Sequence, residues 1–135
     1  MRARSYKPRK VNVVTLGCAK NIFDSEVMMA QLRANDFEVE HEAKQDDSGI
    51  VIVNTCGFIE AAKQESIDTI FRFAQAKAGG QLERVYVTGC LSERYKEELA
   101  DGIPEVDDWF GTRDLPRLLK TLRADYKKEL VGERL

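Results

Sequence analysis

The run Gly49-Ile50-Val51-Ile52-Val53-Asn54 constrains the fold of this 135-residue chain more than any other feature. Four β-branched residues in a row, with no polar alternation, do not suit a strand with one wet face. They suit a strand covered on both faces, as in a parallel sheet between helix layers. The rest of the chain fits that frame. Val11 to Leu16 reads as a strand, Asn21 to about Ala34 as a helix, and Phe37 to His41 alternates like an edge strand. Ile59 to Ala78 is helical, with Ile67, Ile70, Phe71 and Ala74 at helical spacing, and Gly79-Gly80 stops it. Arg84 to Thr88 is the next strand, and Ser92 is a good N-cap for a helix through Ala100, with Glu93 near the positive end of its dipole. Val106 to Phe110 is read as a last short strand.

Asp114 and Pro116 open a C-terminal helix on which Leu115, Leu118, Leu119, Leu122, Tyr126 and Leu130 share one face. The expected architecture is α/β: a doubly wound, mainly parallel sheet of about five strands with helices on both faces and right-handed crossovers. Residues 1–10 form a basic tail, 11–126 the domain, and 127–135 the end of a helix that leads towards a further domain. In such folds ligands gather at the carboxyl edge of the sheet, near the switch point in strand order.

Five of the 21 basic residues (Arg2, Arg4, Lys7, Arg9 and Lys10) fall in the first ten, with no acid among them. The other 125 residues then hold 16 basic and 23 acidic side chains, a formal balance of −7. So acidic a body argues against a nucleic-acid surface of its own, since phosphate neutralisation needs clustered Lys and Arg. The tail can touch RNA or ribosome, and the plainer reading is a solvated leader. Ile50 to Val53 is the longest strongly apolar stretch, far short of the roughly 20 residues that cross a bilayer. Val11 to Leu16 is interrupted by Asn12 and Thr15 with no small-residue cleavage site after it. The expectation is a cytoplasmic domain with no membrane contact.

The three cysteines fall in matching places: Thr15-Leu16-Gly17-Cys18, Asn54-Thr55-Cys56-Gly57 and Thr88-Gly89-Cys90-Leu91. Each lies just past a strand's carboxyl end, beside a glycine and before a helix. If those strands are parallel neighbours, the three thiols share one crevice. Glycine lets a bulky ligand approach the backbone and lets the turn adopt unusual φ. Helix starts stabilise thiolate over thiol and offset the negative charge of a thiolate-held cluster. Three thiolates with no evident fourth ligand suit zinc with an open position, or an iron–sulfur cluster with one iron left for an exchangeable partner. The bland alternative is three small buried hydrophobes. The sole histidine, His41, ends the edge strand and is read as a surface residue away from this edge. Other chemistries fit poorly: there is no GxGxxG, no Walker-type loop, no arginine five residues past a cysteine, and no GxSxG.

Leu16-Gly17-Cys18-Ala19-Lys20-Asn21, followed by Asp24-Ser25-Glu26, resembles the opening motif of the radical-SAM methylthiotransferases. Asn54-Thr55-Cys56-Gly57-Phe58-Ile59, with Ala62-Lys63 and Glu65-Ser66, resembles their second motif, and Thr88-Gly89-Cys90-Leu91 their third. The likeness runs from about Val11 to Leu119. Lys20-Asn21 and Gly57-Phe58-Ile59 resemble the RimO branch, which methylthiolates an aspartate of a small-subunit ribosomal protein, rather than the tRNA-modifying MiaB branch. Ala19 departs from the proline common there.

The resemblance implies the amino-terminal domain of such an enzyme, with Cys18, Cys56 and Cys90 holding an auxiliary [4Fe–4S] cluster. Asp24, Ser25, Glu26, Asn54 and Thr55 would support those ligands by their nearness. More simply, Asp24 and Glu26 favour the dipole of a first turn, and Thr55 is a turn residue. The family's CxxxCxxC motif, which binds a second cluster that generates a radical from S-adenosylmethionine, does not occur here. The chain therefore reads as part of a larger enzyme, partnered by radical-SAM and carboxyl-terminal domains of the same polypeptide and inactive alone. A non-catalytic flavodoxin-like interaction module with inert cysteines is the alternative from a different class.

Overall fold

A computed structural model describes residues 7–17, 19–42, 47–56 and 60–124, without the side chains of Ala19 and Lys20. The elements alternate as expected: β1 (Lys7–Thr15), α1 (Ala19–Ala34), β2 (Glu38–His41), β3 (Ser48–Thr55), α2 (Glu60–Ala78), β4 (Arg84–Gly89), α3 (Cys90–Gly102), β5 (Asp108–Trp109) and α4 (Leu115–Thr121). The strands form one sheet in the order β2-β1-β3-β4-β5, and every neighbouring pair is parallel. The expected α/β doubly wound class is observed. No helix among the described residues is long and apolar enough to cross a membrane.

β3 is the centre of the sheet, and all eight of its residues are buried. Alternation along it feeds two cores. Ile50 and Ile52 pack with Val11, Val13 and Tyr86 under Met28, Met29 and Leu32 of α1 and Leu118 and Leu119 of α4. Val51 and Val53 pack with Val14, Val85 and Val87 under Ile70, Phe73 and Ala74 of α2 and Leu91 of α3. Each such side chain contributes about 1.5–3 kcal/mol by leaving water, so the continuous apolar run holds both helix layers at once.

Several boundaries differ from the sequence reading, each for a physical reason. β1 begins at Lys7, inside the stretch read as a solvated tail. The Lys10 side chain is only 6% exposed and pairs with Glu40 at 2.8 Å, with Glu38 at 3.7 Å and with Asp47. Arg9 donates to the Asn35 carbonyl oxygen at 2.9 Å and stacks on the Phe37 ring. Acids and an aromatic roughly thirty residues downstream thus draw the basic segment into the sheet. On α2 the buried stripe runs through Ser66, Thr69, Ile70, Phe73 and Ala74. Phe71 is a helical step of 100° off that stripe and stays 43% exposed. β5 is only two residues long.

Ser92 does not cap α3. The helix starts two residues earlier, at Cys90, with Gly89 in the cap position, and Ser92 is buried inside its first turn. Asp114 does stand at the N-cap of α4, but its side chain accepts the Gly111 N–H at 2.7 Å instead of capping its own helix. α4 stops at Thr121. Arg123 takes a left-handed φ of 60°, its N–H bonds the Lys120 oxygen, and the Ala124 N–H bonds the Leu119 oxygen. That paired closure ends a helix, so the single helix expected through Tyr126 and Leu130 is broken; those two residues, residues 1–6 and the 127–135 extension lie outside the described residues.

Candidate functional site

The carboxyl ends of three adjacent strands set the geometry. Thr15 of β1 pairs with Asn54 of β3, and Asn54 pairs with Thr88 of β4. One residue on, Thr55 pairs with Gly89. Cys56 and Cys90 are the next residues on their respective chains, so the register delivers both to one edge. Both side chains are buried, at 6% and 8% exposure. The chain leaves β1 towards β2 on one side and leaves β3 towards β4 on the other. The switch point, where clefts form in this class of sheet, therefore lies between Gly17 and Cys56.

Cys18 lies outside the described residues, but Gly17 before it is packed on Cys56. A Cβ built on Gly17 would sit 2.5 Å from Cys56 Cβ and 2.9 Å from its Sγ, and φ there is +98°. Gly89 is tighter still: with φ 97° and ψ −168° it holds a conformation close to glycine-only. A Cβ there would meet the Thr55 carbonyl oxygen at 2.4 Å. Both glycines let neighbouring backbones close onto the cysteine loops.

Amides and hydroxyls tie these loops together. Asn21 Nδ2 donates to the Leu16 oxygen at 2.7 Å and to the Thr55 oxygen at 2.8 Å, bridging the loop that precedes Cys18 to the one that precedes Cys56. Asn54 Nδ2 donates to the Asn21 oxygen and to Ser25 Oγ, both at 3.0 Å. Thr55 Oγ1 donates to the Thr88 oxygen at 2.6 Å, joining β3 to β4. Ser66 Oγ of α2 accepts the Cys56 N–H and donates to the Cys56 oxygen, each at 3.2 Å.

Of the supporting residues expected from sequence, Ser25, Asn54 and Thr55 join this network. Asp24 instead lines a cleft between α1 and α4, and Glu26 is exposed on α1. In the sequence Asn21 and Ser66 stand out only as letters of the motifs; their placement, three and ten residues after a cysteine, is the available signal. His41 corrects the reading that set it away from this edge. β2 runs parallel, so its last residue reaches the carboxyl edge, where His41 Nε2 lies 2.8 Å from Thr15 Oγ1. Thr15 Oγ1 in turn lies 2.6 Å from Ser25 Oγ. His41 is exposed, as expected.

Soft sulfur donors beside glycines, with only uncharged groups bracing them, suit iron–sulfur ligation. Among the described residues no three His, Cys, Asp or Glu side chains come together to hold a metal; Cys18 is not one of those residues.

Residues 10–111 match the model of the uncharacterized protein family UPF0004. Over its full length the chain is 56% identical to the ribosomal protein uS12 methylthiotransferase RimO of Cytophaga hutchinsonii, of which it covers 31%. It is 58% identical to the protein of the same name from Flavobacterium johnsoniae, again covering 31%, and 56% identical to that of Christiangramia forsetii, covering 29%. The chain spans just under one third of the length of these curated relatives. Since the family match takes in about three quarters of its residues, and the likeness to RimO-type methylthiotransferases holds from end to end, the chain belongs to the UPF0004 family.

Proposed function

We propose that this chain is the cluster-bearing domain of a methylthiotransferase that modifies an aspartate of ribosomal protein uS12. Cys18, Cys56 and Cys90 would hold an auxiliary [4Fe–4S] cluster. One observation carries the reading: the β3–β4 register sets Cys56 and Cys90 one residue past the paired Thr55 and Gly89, while Gly17, the neighbour of Cys18, packs on Cys56. Bound by three thiolates, such a cluster supplies an iron with one position open to an exchangeable sulfur ligand. The chain's own groups shape the setting. Asn21 and Ser66 fix the backbone on either side of Cys56, Thr55 ties β3 to β4, and Gly17 and Gly89 leave room where a side chain would intrude.

The generation of a radical from S-adenosylmethionine at a second cluster would fall to the two thirds of the relatives' length that this chain does not match. The names of the relatives favour a ribosomal-protein substrate over tRNA. Thiolate ligation also favours a reducing, cytoplasmic setting.

Anaerobic reconstitution followed by iron and sulfide analysis tests the reading. About four irons per chain are expected, with substantial loss in each of Cys18→Ala, Cys56→Ala and Cys90→Ala. Iron content indifferent to all three replacements would mean the thiols are inert core and would overturn the proposal.

A further inference from the structure

Beside the thiol edge, a cleft of about 360 Å³ opens between α1 and α4. Its floor is Asn54, Thr88 and Gly89, the carboxyl ends of β3 and β4, so it adjoins Cys90 in sequence. Phe23 and Met28 of α1 face Leu115 and Leu118 of α4 across it. Phe23 is 44% exposed, an aromatic left at the mouth of an apolar cleft, and such surfaces mark contact sites.

Arg113 also lines the cleft. Its guanidinium makes no hydrogen bond or ion pair with any described residue. The contrast with Arg117 is sharp: that side chain pairs with Asp108 at 3.1 Å and Asp114 at 3.6 Å, and donates to the Trp109 oxygen at 2.8 Å. Acids near Arg113 are engaged elsewhere. Glu93 Oε1 accepts the Thr112 N–H at 3.1 Å and its hydroxyl at 2.9 Å, and Asp114 accepts the Gly111 N–H. Asp24 stands on the α1 side of the cleft. An arginine is a planar fork matched to carboxylate, and this one has no partner among the described residues at the rim of an apolar slot.

We propose that the cleft binds a peptide segment that presents one carboxylate to Arg113 and apolar neighbours to Phe23 and Leu115. This inference rests on the reading above and deepens it, because it sets an acidic side chain of the substrate beside the cysteine edge. The occupant is a peptide rather than RNA on charge grounds. Phosphate binding gains its strength from several cations acting together, and here one cation stands against Asp24 and mostly apolar walls.

The test uses the full 135-residue chain and a short synthetic uS12 peptide bearing the aspartate, against the same peptide with asparagine in its place. Binding is followed by amide chemical shifts and by titration. A single solvent-accessible charge-assisted pair is expected to give the aspartate peptide an advantage of about tenfold, with shifts at Phe23, Gly89 and Arg113. Arg113→Gln should erase that preference while the reconstituted iron content stays at the wild-type level. Equal affinity for the two peptides, binding of neither, a preference that survives Arg113→Gln, or Arg113-dependent binding of an RNA oligonucleotide in competition with the peptide would each overturn it. The two proposals fail separately. Iron indifferent to the cysteines would remove the cluster and leave the peptide preference standing, whereas loss of the peptide preference would leave the cysteine dependence of iron untouched.

Discussion

The two ends of one sheet are built on opposite electrostatics. At the amino end, where β1 meets the start of β2 and β3, a nearly buried Lys10 ammonium is surrounded by Asp47, Glu40 and Glu38, with Lys7 reaching Glu38 and Asp47 at 3.9 and 3.7 Å. At the carboxyl end, Asn21, Asn54, Thr55 and Ser66 do the joining, and none carries a charge. A buried charge demands partners, so the amino end is closed upon itself. Around Cys56 the carboxyl end is stiffened without adding negative charge beside a thiol whose proposed ligation is itself anionic. Under the proposed function, the first end is structural and the second is the one that would take a ligand.

Glycine substitutions at the two ends of β4 should expose the contrast most strongly. Gly80, which precedes the strand, has φ +80° with nothing within 4 Å of a built Cβ; Gly89, which ends it, has φ +97° with backbone at 2.4 Å. Gly80→Ala should cost about 1–2 kcal/mol, the strain of a left-handed residue alone. Gly89→Ala adds a clash that no rotamer relieves and should cost about 3–5 kcal/mol. Urea unfolding measures both, and equal costs would mean that the close approach at the site end carries no weight.

Next in size is Asn21→Ala. Removing the buried amide leaves the Leu16 and Thr55 carbonyls without their shared donor, for an expected loss of about 2 kcal/mol. Alkylation of Cys56 should quicken, because the two loops lose their bridge. A loss of stability with an unchanged Cys56 alkylation rate would reduce Asn21 to an ordinary buried amide.

Local patterns carry the class of fold and the place of Cys56 and Cys90 at the carboxyl edge; long-range pairings stay hidden in the sequence. The unbroken run from Ile50 to Val53 is readable because burial on both faces leaves no polar position, and the three Gly/Cys strand ends are readable because each is contained in a few residues. The start of β1 was not, since Lys10 is held by Asp47, 37 residues away. Alternation from Phe37 to His41 showed a strand but not its direction, so His41 was set at the wrong edge. Leu122, Tyr126 and Leu130 continue a helical stripe, yet the chain turns at Arg123, where no glycine announced a left-handed cap. Asn21 was visible as a letter of a motif, and only the juxtaposition of two loops gives it work. Cys18, the third of the proposed ligands, lies outside the described residues.

The smallest expected effect is a pH dependence confined to the amino end. Asp47 has its carboxyl held below the ordinary 3.8, chiefly by the hydrogen bond it accepts from Lys10. Lys10 is held above its ordinary 10.5, first by that same bond and then by Glu40, against the opposing pull of burial. A carboxylate whose folded value is depressed contributes stability above its unfolded value and loses it as pH falls through the folded one. A raised ammonium contributes below 10.5 and loses that as pH climbs through its folded value. Asp47→Asn should therefore be less stable than wild type across the neutral range, by a modest margin because the Asp47 side chain is 40% exposed and screened by solvent. The gap should begin to shrink as pH falls below the ordinary 3.8 and close once pH has passed the depressed folded value, where the wild-type carboxyl is protonated in the folded protein as well. The cost of Asn21→Ala should hold steady over that same acid range, since no carboxylate enters the hydrogen bonds it removes. A gap for Asp47→Asn that persists undiminished in acid, or an Asn21→Ala cost that shrinks with it, would show that the two ends do not divide charge between them in this way.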